Sequence, residues 1–414
     1  MSSIGRIRGF SDILGQEVRK FRFMEDMAHS VFSRYGFREL RLPMLEQTEL
    51  FARSIGSDTD VVQKEMFTFL DRKGRHLTLR PEATAGAVRA YIEDKLYSGG
   101  NLTKLFTVGP MFRYERPQKG RQRQFHQVNA EAFGSASPLL DAEMILMLWT
   151  YLRELGLTDL TLQINSLGCR ECQPVYAERL HDYLAHTDRS RFCADCQERA
   201  QRNPFRLLDC KQSQCQELMH GAPSMLDSVC SDCRSHFDTV LESLQQLGIP
   251  YEVNSGLVRG LDYYQRTTFE IVSGAIGAQS SVAGGGRYDD LVRQLGGPDH
   301  PAIGFACGME RLNLLLEDPG PEVTDFYLAV LDREGFSEGM RICEELRRKG
   351  WKGEMNQETA SVKSQTRHAH RLGARFCLFL GQEELAGESI TVKDMSSGQQ
   401  SQCGKEHLPD MLRQ

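Results

Sequence analysis

Nowhere in this chain do 18 uncharged apolar residues run together, which excludes a membrane-spanning helix of ordinary length. The opening MSSIGRIRGF holds no apolar core of the kind a secretory leader needs, so a cytoplasmic protein with no membrane partner is expected. A surplus of positive charge is missing as well: 50 Lys and Arg stand against 56 Asp and Glu, a formal net charge of -6. The overall balance therefore does not favour nucleic acid, and any polyanion site must be a local gathering of arginine and lysine. Internal repeats and low-complexity tracts are absent too.

Cysteine, by contrast, is plentiful: of 12 in the chain, those from Cys169 to Cys233 form a dense group. The pattern is Cys169-x2-Cys172, Cys193-x2-Cys196, Cys210-x4-Cys215 and Cys230-x2-Cys233. In a reducing compartment, clustered thiols point to metal more than to disulfides, and each close pair offers two thiolates to a tetrahedral zinc. Sequential pairing gives one site from Cys169, Cys172, Cys193 and Cys196 and a second from the other four; interleaved pairing is equally allowed. Four thiolates leave no open coordination position, so any such zinc is structural. Cys307 and Cys377 lie inside apolar runs and are expected to pack as small hydrophobes.

At 414 residues the chain should hold two or three domains, taking about 150 residues for each. Apolar residues at three- and four-residue spacing predict helices over about 16–35 and 139–155, and a further helix is expected near 236–247. Short strands are read at GFRELRLPML, LTLRPE, TLQIN, YEVNSGLV, TTFEIVS, SSVAG and AIGFACG, the last running into the helix GMERLNLLLE. Strands without regular intervening helices predict an α+β domain, a mostly antiparallel sheet flanked by helices and interrupted by the cysteine-rich insertion. After the linker DPGP, strand and helix patterns alternate in βαβ fashion, predicting a separate C-terminal α/β domain.

Residues 112 to 134, FRYERPQKGRQRQFHQVNAEAFG, read as two strands around a cationic loop. Side chains two apart in a strand share a face, so Gln127, Asn129 and Glu131 point one way and Val128, Ala130 and Ala132 the other. Arg116, Lys119, Arg121 and Arg123 surround Pro117 and Gly120 in a loop able to close over phosphates, with Arg113 at the end of the first strand. Four other segments carry polar residues that core packing does not demand. LRPEATAG sets Glu82 and Thr84 at a strand-to-helix junction, where each is also in place to cap the helix. LVRGLDYYQRTTFE offers Arg259 beside Tyr263 and Tyr264; GGGRYDDL lets a planar ligand or phosphate come close to backbone; GFACGMERL places Arg311 in the first turns of a helix, where dipole and guanidinium both favour an anion.

In this order the segments resemble the class II aminoacyl-tRNA synthetases, and within them the histidyl-tRNA synthetase family. FRYERPQKGRQRQFHQ is similar to motif 2 and GFACGMERL to motif 3, while RGLDYYQRTTFE and GGGRYDDL resemble the two peptides that set histidyl enzymes apart. The likeness runs from RGFSDILG through motif 3. The chain departs from the family at Ala83, where Gly is common, at Tyr114, where His is common, and at Asn129 and Ala130, where a Gly-Cys pair is common; none of these removes a charged group. The resemblance implies a histidine-tRNA ligase that joins L-histidine to tRNA(His) through a histidyl-adenylate, uses ATP with Mg2+, and forms a homodimer. It divides the chain into 1–165 (catalytic, motifs 1 and 2), 166–235 (the insertion), 236–318 (catalytic, histidine peptides and motif 3) and 323–414 (anticodon binding). Arg113 and Arg259 are its catalytic cations, and Arg113, Arg121 and Arg311 its ATP contacts. Glu82, Thr84 and Gln127 suit the α-ammonium of histidine, Glu131 and Tyr264 its ring, with Arg113, Arg259 and Tyr263 completing the pocket. A regulatory paralogue that binds histidine without charging tRNA is expected to lack the C-terminal domain and several of these arginines. The insertion corresponds to a variable module near the tRNA acceptor arm, so removing zinc is expected to weaken tRNA charging and spare adenylate formation.

Overall fold

The computed structural model describes residues 4–413 except 57, 58, 101, 280, 319, 321 and 322. It contains two compact units, Met1–Pro319 and Gly320–Gln414. Among the described residues no helix is long and apolar enough to cross a membrane.

The first unit opens with α1 (Gln16–Arg34), which buries Phe21, Met24, Ala28, Val31 and Phe32 along one stripe and stops at Gly36, held at φ 82. Then come β1 (Arg38–Glu39), β2 (Leu45–Gln47), α2 (Thr48–Ile55), β3 (Phe67–Leu70), β4 (His76–Leu79) and α3 (Thr84–Glu93). Next are β5 (Thr103–Phe112) and β6 (Gln124–Phe133), the two strands of the arginine hairpin. Ser137 caps α4 (Pro138–Glu154) by accepting from Leu139 N, with Pro138 at the first helical position. The remaining elements are β7 (Thr161–Ser166), α5 (Cys172–Ala185), α6 (Ala194–Arg202), α7 (Ser213–Met219), α8 (Ser231–Gln246), β8 (Tyr251–Val253), β9 (Gln265–Val272), β10 (Ser281–Arg287), α9 (Leu291–Gln294), β11 (Ala302–Gly308) and α10 (Met309–Leu315).

Eight strands form one sheet in the order β1-β5-β6-β11-β10-β9-β7-β8. Its inner pairs are antiparallel and only the edge pairs β1·β5 and β7·β8 are parallel, the mostly antiparallel sheet expected. One face packs on α1, α4 and α8 in the main core, to which β6 contributes Val128, Ala130 and Ala132, all fully buried. The alternate residues of β6 therefore face the opposite side. Some elements differ from their sequence patterns. YEVNSGLV is strand only as far as Val253, because the Asn254 side chain accepts from Gly256 N and turns the chain. The helix expected from residue 236 starts at Ser231, and β3 joins β2 and β4 in a small sheet that was not anticipated.

The second unit has β12 (Thr324–Val330), α11 (Phe336–Arg348), β13 (Gly353–Met355), α12 (Val362–Leu372), β14 (Ala374–Leu380), α13 (Gln382–Ala386), β15 (Ser389–Asp394), β16 (Gln400–Gly404) and α14 (Leu408–Met411). Parallel pairing of β12 with β13 and β14 realises the βαβ pattern; β15 and β16 add an antiparallel edge. The polar QSQCG of β16 carries no alternation from which a strand could be read. Cys307 and Cys377 are fully buried among apolar neighbours.

Candidate active site

The face of β6 turned away from the main core and the start of α3 bring buried polar groups together. Glu82 caps α3 in the way its position allowed: its two carboxylate oxygens accept from Thr84 N at 2.6 Å and Ala85 N at 3.0 Å. The Thr84 hydroxyl donates to Glu131 Oε1 at 2.7 Å, and the Tyr288 hydroxyl donates to Glu131 Oε2. Across the sheet Glu131 pairs with Gly304, where a Cβ would fall 1.6 Å from Glu131 Oε2; the carboxylate thus lies over a residue that has to be glycine. Burial pushes the Glu131 carboxyl up to about 8, the bonds from Tyr288 and Thr84 pulling the other way and nearby Glu82 adding to the rise. Gln127, four residues earlier on the same face, keeps a buried Oε1 with no hydrogen-bond partner among the described residues, an acceptor fit for an ammonium or N–H donor.

Tyr263 and Tyr264 lie with their rings 4.6 Å apart, and Tyr288 is 5.5 Å from Tyr263. Burial raises the Tyr264 phenol above its ordinary range, and the Arg259 guanidinium, 5.6 Å from its ring centre, draws it back. Arg259 forms an ion pair with Glu270 and retains a buried Nε that has no partner among the described residues. The glycine triplet serves protein groups here. A Cβ at Gly284 would meet Arg259 Nη1 at 2.5 Å, one at Gly286 would meet Tyr264 Cδ1 at 3.0 Å, and one at Gly285 would strike Gly304 O at 2.1 Å. The triplet thus leaves room for the arginine, the tyrosine and strand β11.

At the other end the guanidinium groups gather. Arg113 donates from Nε to Pro81 O at 2.9 Å and sits over the Phe125 ring. Glu115 pairs with Arg121 at 2.8 Å. The hairpin loop folds onto α10, since a Cβ at Gly120 would touch Leu314 Cδ1 at 3.3 Å and Arg311 Cγ at 3.4 Å. Burial, then the neighbouring charges of Arg121 and Arg113, lower the Arg311 guanidinium, which also donates to Ser281 O. Three cations within electrostatic reach of one another make a site for a polyanion. Arg311 lies in helix α10, Met309–Leu315, as read from the sequence. Tyr288 and Glu270 were missed: Tyr288 stood behind a glycine run and Glu270 inside the apolar strand TTFEIVS, where a lone carboxylate was the available signal.

The eight thiols of the insertion form two nested groups. Cys169, Cys172, Cys230 and Cys233 make an outer cluster, Cys193, Cys196, Cys210 and Cys215 an inner one, with the sulfurs of each all within 4.8 Å of one another. Sequential pairing is thereby ruled out. A tetrahedral Zn–S shell of about 2.3 Å sets sulfurs about 3.8 Å apart. The distances of 3.5 Å for Cys169 to Cys172 and 3.9 Å for Cys193 to Cys210 fit it. Backbone N–H groups of Cys230 and Cys193 point at Cys172 Sγ and Cys215 Sγ at 3.1 and 3.2 Å, as suits thiolate acceptors.

A family model described as Histidyl-tRNA synthetase matches residues 9–312, and one described as Anticodon binding domain matches 325–414. The chain is 55% identical over 414 residues to a histidine–tRNA ligase of Nitratidesulfovibrio vulgaris, covering 100% of this chain and 99% of that one. It is 54% identical to that of Maridesulfovibrio salexigens, with 96% and 97% covered. The crystal structure of apo S. aureus histidyl-tRNA synthetase matches with a TM-score of 0.83 at 34% identity, over 100% of both chains.

Proposed function

Because the chain belongs to the histidyl-tRNA synthetase family and ligates histidine to tRNA, we propose that the polar groups on β6 and α3, with the neighbouring arginines, activate L-histidine with ATP and pass it to tRNA(His). The supporting observation is that hydrogen-bond acceptors on β6 and at the start of α3 stand beside Arg113, whose Nε donates to Pro81 O, while Arg121 and Arg311 are electrostatic neighbours of Arg113. Gln127 Oε1 and Glu82 receive the α-ammonium, with Thr84 beside them, and Glu131 and Tyr264 address the imidazole nitrogens. Recognition of a polar ring by hydrogen bonds discriminates by about 10⁴ or more, because a wrong side chain leaves buried groups unpaired. Tyr288 belongs to the same set, since its hydroxyl fixes the Glu131 carboxyl group.

Adenylate formation is an in-line displacement at the α-phosphorus by the histidine carboxylate. It calls for positioned cations and no protein nucleophile. Arg113 bridges the carboxylate and α-phosphate, and Arg259 compensates charge growing at the reacting centre, its orientation set by Glu270. Arg121 and Arg311 hold the β- and γ-phosphates of ATP, which arrives with Mg2+. The second unit, matched along 325–414, reads the anticodon.

Each cysteine cluster holds one structural zinc, a reading supported by four sulfurs at tetrahedral spacing and by N–H donors to sulfur. Reduced thiols in such number suit the cytoplasm. A homodimer accounts for the large apolar side chains left exposed in the first seventy residues, among them Ile7, Leu14, Met44 and Leu70. Pyrophosphate exchange with each amino acid in turn tests the proposal: histidine alone should support exchange, and in a separate assay tRNA(His) should accept radiolabelled histidine. Exchange driven by another amino acid would overturn the assignment.

A further inference from the structure

The cysteine-rich insertion grips the segment from Arg259 to Arg266 at both ends. At its C-terminal end Arg266 has φ 48, a left-handed conformation that a long side chain seldom adopts. Two backbone bonds hold it there, Arg266 N to Gly168 O and Leu167 N to Arg266 O, both 2.7 Å. Gly168 directly precedes Cys169 and is packed on the next ligand, for a Cβ there would lie 2.5 Å from Cys172 Cβ. Gln173, one residue beyond Cys172, donates from Nε2 to Tyr264 O at 3.3 Å and Leu167 O at 3.4 Å. The outer knuckle and the backbone of the tyrosine pair are thus one connected piece. Cys230 and Cys233, which complete the cluster, start α8, whose Phe237, Val240 and Leu244 are set in the main core.

At the N-terminal end the grip comes from the stretch between Cys196 and Cys210, both members of the inner cluster. Asn203 Nδ2 donates to Asp262 Oδ1 at 3.0 Å, and the Arg206 guanidinium lies against Gly260, where a Cβ would be 3.2 Å from Nη1. Leu208 packs on the apolar group that contains Val258, Tyr263 and Tyr264.

We propose that the two metal-loaded clusters are positioning devices for the histidine-reading segment, so that histidine recognition depends on metal that never touches the substrate. This rests on the clusters holding zinc. It revises the expectation that zinc serves only the tRNA step. The insertion has only a small apolar core of its own, and closure of two four-thiol knuckles supplies the rigidity that core does not. Asn203, Arg206 and Gln173 transmit that rigidity to Tyr263, Tyr264 and, through Gly260, to Arg259.

The test uses the full chain, assayed by pyrophosphate exchange with zinc bound, after release of zinc by an organomercurial and a chelator, and after reduction and re-addition. Release should raise KM for histidine on the order of ten-fold and leave KM for ATP within about two-fold, with re-addition restoring both. Hydrogen exchange of peptides spanning 257–270 should quicken in parallel. Gln173→Ala and Asn203→Ala cut the grip without touching a thiol; each should keep full zinc and raise KM for histidine by about three-fold or more at nearly constant kcat. Fewer than one zinc per chain in the purified protein would overturn the metal reading and the inference with it. Full zinc with an unchanged KM for histidine in the stripped protein would overturn the inference and leave the metal reading standing. If stripping unfolds the chain, unchanged KM values in both point variants overturn it.

Discussion

Glu131→Gln separates the charge of this side chain from its shape, and the size of the effect should depend on pH. With its pKa at about 8, against an ordinary 4.5, the carboxyl of the free protein is mostly protonated at neutral pH. A charge-assisted hydrogen bond from the imidazole requires the carboxylate, and removing the proton at pH 7 costs about 1.4 kcal/mol, one pKa unit. A charge-assisted bond in a dry site contributes about 1.5–3 kcal/mol. At pH 8.5, where most of the cost has gone, the variant should show KM for histidine roughly ten- to a hundred-fold above the parent. At pH 7 the ratio should be about ten-fold smaller. The titration of histidine itself cancels, because both proteins bind the same substrate. Pyrophosphate exchange at saturating ATP across this range measures the ratio, and calorimetry in buffers of different ionisation enthalpy should detect proton release on histidine binding that the variant lacks. A ratio that does not change with pH would mean that Glu131 meets histidine as the neutral acid, and would refute the reasoning. The same shift bears on stability. A folded pKa raised above the unfolded one contributes stability in full below about pH 4.5, and this is lost as pH rises through about 8.

Arg259→His should leave both substrates bound and slow single-turnover adenylate formation on the order of 10²–10³-fold, the usual effect of removing one cation aimed at developing charge; weakened binding with normal chemistry would reassign it to ground-state recognition. Gly304→Ala forces a methyl group into the place of Glu131 Oε2, and should raise KM for histidine by about 10²-fold while KM for ATP stays near the parent value. Asp141→Asn removes the carboxylate that meets fully buried Arg287 at 2.7 Å and His236 at 2.8 Å. It should cost about 3–5 kcal/mol, read as a lowered denaturation midpoint in urea, and a midpoint unchanged from the parent would count against that network.

Much of the fold was legible because it rests on periodicity. In QVNAEA the two faces of β6 are written out as polar and small apolar residues in strict alternation, and the structure buries the apolar set in the main core. Arg287 was not legible: an arginine with no exposed surface depends on Asp141, 146 residues away, and on the carbonyls of Ser135 and Ser137. Local pattern carries no information on so remote a partner. The pairing of the thiols was hidden for a related reason. Spacing shows which cysteines share a knuckle; which knuckles meet depends on the insertion leaving the catalytic unit after β7 and returning at α8, so that its two ends lie together. The polar edge strand β16 is held by its neighbour β15, and nothing in its own residues announced it.

A crystal structure of the full chain with histidine and a non-hydrolysable ATP analogue tests the central claim most directly. The imidazole should lie within hydrogen-bond distance of Glu131 and Tyr264, the ammonium against Gln127 Oε1, and the α-phosphate between Arg113 and Arg259, with the outer phosphates at Arg121 and Arg311. Histidine bound elsewhere, or a triphosphate turned away from Arg121 and Arg311, would contradict the account.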